Sequence, residues 1–162
     1  MKRLIAHRGI IDGNYSGKEN RIETIVNALN LGYDVEVDVH LYENELWLGH
    51  DAPQEPLRLL FKEADPLNLL QDISSFYLWF HCKDSGSLDF LQRKYAASAE
   101  YFWHDKDEFT ITSRGNVWTA NLAGCYPERT IVVAKNKSDA LSQLETNCYG
   151  ICSPYVGELH VA

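Results

Sequence analysis

The sequence lacks the features that would direct it into a membrane or out of the cell. It has no run of about 18 apolar residues, the length that a membrane-spanning helix requires. Its N-terminus reaches His7 and Arg8 before the apolar segment of a signal peptide could develop. We therefore expect a soluble, cytoplasmic protein without a transmembrane segment.

Basic residues are also scarce. Lys and Arg number 15 against 23 Asp and Glu, which gives a formal net charge of -8. Such a charge repels a polyanion unless a local basic patch overrides it, so nucleic acid is not an expected partner. The hydrophobic share of 45% and the charged share of 23% are typical of a globular chain and exclude a collagenous or largely disordered one.

Cysteine is present without the spacing of a zinc or redox motif. The four cysteines form no Cys-x-x-Cys pair; they are Cys82, Cys125, Cys148 and Cys152. In the absence of a secretory context, we expect buried free thiols in preference to a disulfide or a zinc site.

Apolar segments of strand length alternate with helical patterns along the chain. This alternation is typical of an α/β fold with parallel strands. Strands are predicted at residues 4–6, 35–39, 77–83, 101–104, 109–119, 130–133 and 150–152, with a hairpin around residues 43–45. Helices are predicted at residues 22–29, 57–64, 67–73, 88–97 and 140–144. With 162 residues and no linker or repeat, the chain is expected to form one domain over residues 1–162.

Several of these strands end in side chains that can perform chemistry. They are His7, Arg8, Glu36, Asp38, His81, Lys83 and His104. Active sites of α/β folds form at the carboxyl edge of the sheet, where strands end and loops begin. The sequence therefore predicts a single site at this edge.

Glu36 and Asp38 are the most informative pair among these residues. Side chains at positions i and i+2 of a strand lie on the same face, so the two carboxylates must be neighbours. Neighbouring carboxylates repel each other unless a cation lies between them, and hard oxygen ligands suit a divalent metal ion. The alternative is a solvated strand face with both carboxylates in water, which the flanking valines make less favourable.

Four motifs within the first 51 residues resemble the N-terminal signature of the glycerophosphodiester phosphodiesterase family. These enzymes have a TIM-barrel fold and are relatives of the phosphatidylinositol-specific phospholipases C. The motifs are Ile5-Ala6-His7-Arg8-Gly9, Glu19-Asn20, Val35-Glu36-Val37-Asp38-Val39 and Gly49-His50-Asp51. Phe80-His81-Cys82-Lys83 is similar to the third strand of the family, and Gly150-Ile151-Cys152-Ser153 to its last strand.

The resemblance implies acid/base catalysis by two histidines, His7 and His50. It also implies that Arg8 and Lys83 bind the substrate phosphate. These roles agree with the chemistry of a phosphodiester, which needs its charge neutralised, a nucleophile deprotonated and a leaving alcohol protonated.

The resemblance further implies one divalent cation, Mg²⁺, Ca²⁺ or Mn²⁺, bound by Glu36 and Asp38. Glu19 would be a further carboxylate of the site, near His7. His81 stands where the family has its third carboxylate ligand, and an imidazole there favours a borderline metal over Mg²⁺ or Ca²⁺. Alternatively, His81 is a buried histidine that binds no metal. His104 is a further possible site residue because it ends the fourth strand.

The chain is short for this family, because a complete (β/α)₈ barrel takes about 250 residues. We therefore expect a shortened TIM-barrel-like α/β fold with about seven parallel strands and reduced helices. The strand aromatics Trp47, Tyr77, Trp79, Phe102, Trp103 and Trp118 are expected in its core. His40 and His160 are expected to be ordinary polar residues.

The expected function is metal-dependent hydrolysis of a small glycerophosphodiester-like substrate by a phosphoric diester hydrolase. A different phosphodiester specificity on the same residues is one alternative, since loops that read the substrate are shortened here. A non-catalytic relative that binds a phosphorylated ligand or partner is the other.

Overall fold

The computed structural model describes residues 2–63 and 77–159. The strands in these ranges are β1 (Arg3–His7), β2 (Asp34–Tyr42), β3 (Glu45–Leu48), β4 (Glu55–Pro56), β5 (Leu78–Cys82), β6 (Glu100–Phe102), β7 (Phe109–Ile111), β8 (Val117–Thr119), β9 (Thr130–Val133) and β10 (Gly150–Ser153). The helices are α1 (Ile22–Asn30), α2 (Arg58–Glu63), α3 (Ser85–Tyr95) and α4 (Lys137–Ser142), and two 3₁₀ turns lie at Gln143–Glu145 and Val156–Glu158. The helix predicted at residues 67–73 and the polar residue His160 lie outside the described residues.

Within residues 2–63 and 77–159, seven parallel strands form the body of the sheet, in the spatial order β6-β5-β2-β1-β10-β9-β8. β7 pairs with β8 in antiparallel orientation at one end. The sheet curls until its two ends approach each other, since the Ser113 amide donates to the Tyr101 carbonyl oxygen at 2.8 Å. The prediction of a shortened TIM-barrel-like fold with about seven parallel strands is confirmed.

Alternation along the strands separates the two faces of the sheet. On the inner face, Trp118 packs against Phe102 and Trp79, with ring centroids 4.5 and 5.6 Å apart. On the outer face, helices and strand residues form the larger apolar core, which includes Ile25, Val37 and Leu91. Because Val37 faces this outer core, its neighbours in β2 face the barrel interior.

Two helices begin earlier than their apolar patterns predict. α3 begins at residue 85 instead of 88 because Asp84 caps it by accepting from the Ser87 amide at 2.6 Å. α4 begins at residue 137 instead of 140 because Asn136 accepts from the Asp139 amide at 2.9 Å. Both caps are polar, so apolar spacing gives no sign of the first helical turn that they stabilise.

Three side chains expected in the interior are exposed instead. Trp103 is 48% exposed because it alternates with Phe102 and points away from the barrel interior. Tyr77 precedes β5 and is 45% exposed. Cys125 lies in the loop before β9 and is an exposed free thiol, whereas the other three cysteines are buried and free. None of the described helices combines the length and the apolar character needed to cross a membrane.

Candidate active site

A cavity of about 280 Å³ opens at the carboxyl end of the parallel strands. Most of the predicted site residues line it, namely His7, Arg8, Glu36, His50, His81, Lys83 and His104. Asp38 lies directly beneath, fully buried. The sheet topology thus brings together residues that are distant in sequence.

The cluster of Glu36, Asp38 and His81 forms the floor of the cavity. Asp38 and His81 are direct partners in the parallel pairing of β2 and β5. His81 Nδ1 lies 3.0 Å from Asp38 Oδ1 and 3.7 Å from Glu36 Oε1. Glu36 is 2% exposed and Asp38 0%, so the alternative in which these carboxylates face water is wrong.

Asn20 holds Asp38 in place, a role that the sequence analysis missed. Asn20 Nδ2 donates to Asp38 Oδ2, and the Asp38 amide donates to Asn20 Oδ1, both at 2.9 Å. Asn20 has a φ of 56°, a left-handed conformation that asparagine tolerates better than most residues. The Glu19-Asn20 motif contained this signal, but only the carboxylate was interpreted. Glu19 itself is half-buried and is not among the residues that line the cavity, and its role stays a prediction.

Two cations predicted to bind phosphate also contact Asp38. Arg8 Nε lies 3.0 Å from Asp38 Oδ2, and Lys83 Nζ lies 3.6 Å from Asp38 Oδ1. Burial alone would raise the pKa of Asp38, but His81 and the Arg8 charge hold that pKa well below its usual range. Asp38 is therefore ionised and carries the negative charge around which the cationic groups assemble.

The cluster has the composition and spacing of a divalent metal site. Each of Glu36, Asp38 and His81 offers one ligand atom, and these atoms all lie within 4.8 Å of one another. Asp38 Oδ1 is buried, and among the described residues no donor is aligned with it, although His81 Nδ1 lies 3.0 Å away. Two carboxylates and an imidazole are suitable ligands for a divalent ion, so these residues fit the predicted metal.

Aromatic stacking fixes the ring of His81. It lies nearly parallel to the rings of Phe102 and His104, at centroid distances of 4.9 and 4.7 Å. Burial lowers the pKa of His81, but Asp38 and Glu36 outweigh this effect and raise it above the ordinary value. Because its ring stacks on His81, His104 helps to hold the His81 ring in place.

The two predicted catalytic histidines enter the cavity from different elements. His7 ends β1 and is buried, with Nε2 3.9 Å from Glu36 Oε2. Burial lowers the pKa of His7, and the negative charge of Glu36 opposes this shift only in part. His50 lies at the rim with its side chain 40% exposed, and its Nδ1 is 2.6 Å from Asp51 Oδ1.

The β2–β3 hairpin explains how His50 reaches the cavity. β3 runs back along β2, and the Gly49 amide then donates to the Asp38 carbonyl oxygen at 3.1 Å. Gly49 has a φ of 147°, and a Cβ there would lie only 2.0 Å from the Ala52 carbonyl oxygen, so no larger residue fits. His40, expected to be an ordinary polar residue, pairs with Asp84 at 3.3 Å.

Other charged residues of the cavity were not predicted. Lys135 lies two residues after β9, in the same relation to its strand as other site residues have to theirs. Three acidic residues after β6 also line the cavity, namely Asp105, Asp107 and Glu108. The position of Lys135 after its strand was a signal that could have identified it, whereas the three acidic residues lie in a loop that has no periodic pattern.

Seven parallel strands, with histidines, cations and a buried acidic cluster at their carboxyl edge, define a shortened TIM-barrel-like protein. The chain has the fold of the glycerophosphodiester phosphodiesterases. It is similar to such an enzyme from Agrobacterium tumefaciens, with a TM-score of 0.56, 10% identity and 97% of both chains covered. It is also similar to a putative glycerophosphoryl diester phosphodiesterase from Silicibacter pomeroyi, with a TM-score of 0.55, 14% identity, and coverage of 97% of this chain and 91% of that one. No protein-family model and no curated protein matches the sequence.

His81→Glu tests whether the imidazole belongs to the metal site. The substitution supplies a hard, negatively charged oxygen, so we expect the affinity ranking to shift toward Mg²⁺ and Ca²⁺ and away from Co²⁺ and Zn²⁺. Titration calorimetry with each metal measures the ranking for both proteins. His81→Gln is the matched control, because it offers an oxygen of similar reach without the charge. The same ranking in the wild type and in His81→Glu would show that His81 is not a ligand of the candidate metal site.

Proposed function

We propose that this protein is a metal-dependent phosphodiesterase that hydrolyses a small glycerophosphodiester-like molecule. One observation carries the proposal: an acidic cluster that fits a divalent ion, two cations and two histidines lie in or directly beneath one cavity of about 280 Å³. The fold shared with glycerophosphodiester phosphodiesterases supports a hydrolase of this kind. A cavity of this volume suits a head group better than a complete lipid.

In the proposed reaction, the chain's own residues divide the work between binding and proton transfer. Arg8 and Lys83 bind the phosphoryl oxygens and reduce their negative charge. Glu36, Asp38 and His81 would hold a divalent ion, which would supply further electrostatic stabilisation of the phosphoryl oxygens.

The positions of the two histidines suggest their separate roles. His7 lies beside the acidic cluster, which supports it as the base that accepts a proton at Nε2 from the nucleophile, a water molecule or a hydroxyl group of the substrate. His50 lies at the rim, where the leaving alcohol departs, and is placed to donate a proton to its oxygen.

A second candidate function is the binding of a phosphorylated ligand without hydrolysis. It is favoured by the contacts of Asp38, whose carboxylate already faces the cationic groups of Arg8, His81 and Lys83. If His81 stays between the two carboxylates as a cation, at 3.0 Å from Asp38 and 3.7 Å from Glu36, it competes with a metal ion for the same oxygens.

Hydrolysis assays with and without EDTA distinguish the two functions. Bis(p-nitrophenyl) phosphate and a panel of glycerophosphodiesters serve as substrates, with Mg²⁺, Ca²⁺, Mn²⁺, Co²⁺ or Zn²⁺ restored after chelation. We expect turnover that EDTA abolishes and at least one metal restores. Glu36→Gln protein, purified in parallel, controls for a contaminating phosphodiesterase. Calorimetric binding of a glycerophosphodiester without turnover under any metal would favour the second function.

A further inference from the structure

Tyr15 contacts His7 from the loop between β1 and α1. Its hydroxyl oxygen lies 3.2 Å from His7 Nδ1, and the two rings meet edge to face with centroids 6.4 Å apart. Among residues 2–63 and 77–159, no other side chain makes a hydrogen bond to the His7 ring. Tyr15 is not among the residues that line the cavity, so any effect of it on a ligand there would pass through His7.

The loop that carries Tyr15 is held by the rest of the fold. The Gly13 amide donates to the Pro154 carbonyl oxygen at 2.8 Å, just beyond the end of β10. Gly13 lies against the Tyr155 ring so closely that a Cβ would be 2.2 Å from it. The Lys18 amide closes the next turn onto the Tyr15 carbonyl oxygen at 2.7 Å. These contacts fix the position of the loop and so place the Tyr15 ring beside His7.

A neutral imidazole carries one proton, and its position decides what the ring can do. To accept a proton at Nε2, His7 must carry its own proton at Nδ1. The 3.9 Å between Nε2 and Glu36 Oε2 is too long for a hydrogen bond that would hold the proton there instead. The Tyr15 hydroxyl oxygen is within reach of an Nδ1–H, and burial raises the pKa of Tyr15 to about 12, so this partner stays uncharged.

We propose that Tyr15 is a positioning residue for His7: its hydroxyl oxygen accepts from Nδ1–H and leaves the Nε2 lone pair facing the cavity. The inference rests on the proposed function, in which His7 is the base. When the nucleophile, a water molecule or a hydroxyl group of the substrate, loses its proton, the O–H bond breaks, its electron pair attacks phosphorus, and an Nε2–H bond forms. The imidazolium that results keeps its Nδ1–H on Tyr15, and the tyrosine remains protonated throughout.

Nitrogen-15 NMR of the histidine rings tests the position of the proton directly. Spectra are recorded at a pH of about 8, above the ordinary histidine pKa, and the His7 signals are assigned by their loss in His7→Gln. In the wild type we expect the His7 proton on Nδ1. In Tyr15→Phe, which keeps the ring but removes the hydroxyl group, we expect the proton to move substantially to Nε2.

Kinetics give the second measurement. Loss of a hydrogen bond that orients a site histidine costs on the order of 10- to 100-fold in activity, and we expect Tyr15→Phe to show this loss in kcat with little change in KM. Tyr155→Phe is the matched control, because it removes a phenolic hydroxyl group from a residue that packs against the same loop. It is expected to change neither kcat nor the NMR signals. Thermal unfolding shows whether each variant is folded.

The two measurements separate this inference from the proposed function. A proton on Nε2 in the wild type, or a Tyr15→Phe variant that matches the wild type in both measurements, would overturn the role of Tyr15. A proton on Nδ1 that moves in Tyr15→Phe supports the positioning of His7 even if no phosphodiester is hydrolysed, and that lack of turnover would overturn the proposed function alone.

Discussion

Glu36→Gln is expected to abolish divalent metal binding and phosphodiester hydrolysis while the fold persists. The substitution keeps the shape of the side chain and an oxygen that can still accept from the Arg8 amide, a contact of 3.0 Å in the wild type. It removes one of the two carboxylates of the cluster, and a neutral amide oxygen binds a divalent ion far more weakly. Titration calorimetry with Mn²⁺ measures the affinity, and thermal unfolding measures the fold.

A surface glutamate provides the control for this experiment. Glu45 lies at the start of β3 and pairs with Arg58 on the surface at 3.1 Å. Glu45→Gln removes the same charge from the protein. It is expected to leave metal affinity unchanged because Glu45 does not line the cavity, and to change stability little because exposed ion pairs contribute little to it. If Glu36→Gln binds Mn²⁺ as tightly as Glu45→Gln does, Glu36 is not a metal ligand.

His7→Ala and His50→Ala are each expected to lower kcat/KM by on the order of 10²-fold or more. Their dependence on the leaving group should differ. A proton donor matters for a poor leaving group such as glycerol and little for p-nitrophenol, which departs as a stable anion. We therefore expect His50→Ala to impair hydrolysis of glycerophosphodiesters more than that of bis(p-nitrophenyl) phosphate, and His7→Ala to impair both alike.

The ratio of the two substrates' losses decides the assignment. Equal losses for both substrates in His50→Ala would exclude this residue as the proton donor. A larger loss for glycerophosphodiesters in His7→Ala would exchange the two roles. Wild-type rates in both variants would remove both histidines from the mechanism.

The predictable parts of this fold are those in which side chains follow the regular geometry of strands. Glu36 and Asp38 could be assigned to one face because residues alternate in a strand, and the structure places both in the barrel interior. Parallel strands end at one edge, and for this reason His7, His81 and His104 could be expected in one place. The hairpin around residues 43–45 was also predicted from the pattern, but only the resemblance assigned His50 to the site.

The residues that were missed lie in loops, and no repeating sequence pattern predicts their contacts. Asn20 contacts Asp38 across 18 positions of sequence, and its left-handed backbone is set by the loop, not by a repeating pattern. Tyr15 reaches His7 in the same way, from a loop whose path depends on the end of β10. Trp103 was wrongly expected in the core because aromatic residues of strands are usually buried. It alternates with the buried Phe102, and its side chain is therefore directed outward.

The contacts of Asp38 have a consequence for how this sequence can change. One buried carboxylate interacts with Arg8, Asn20, His81 and Lys83. Residues that share a partner do not contribute independently, so the effects of substitutions at these positions are not additive. The effect of a histidine at position 81 on stability and activity therefore depends on the residues at the other positions. A substitution that the protein tolerates after one of these changes need not be tolerated before it.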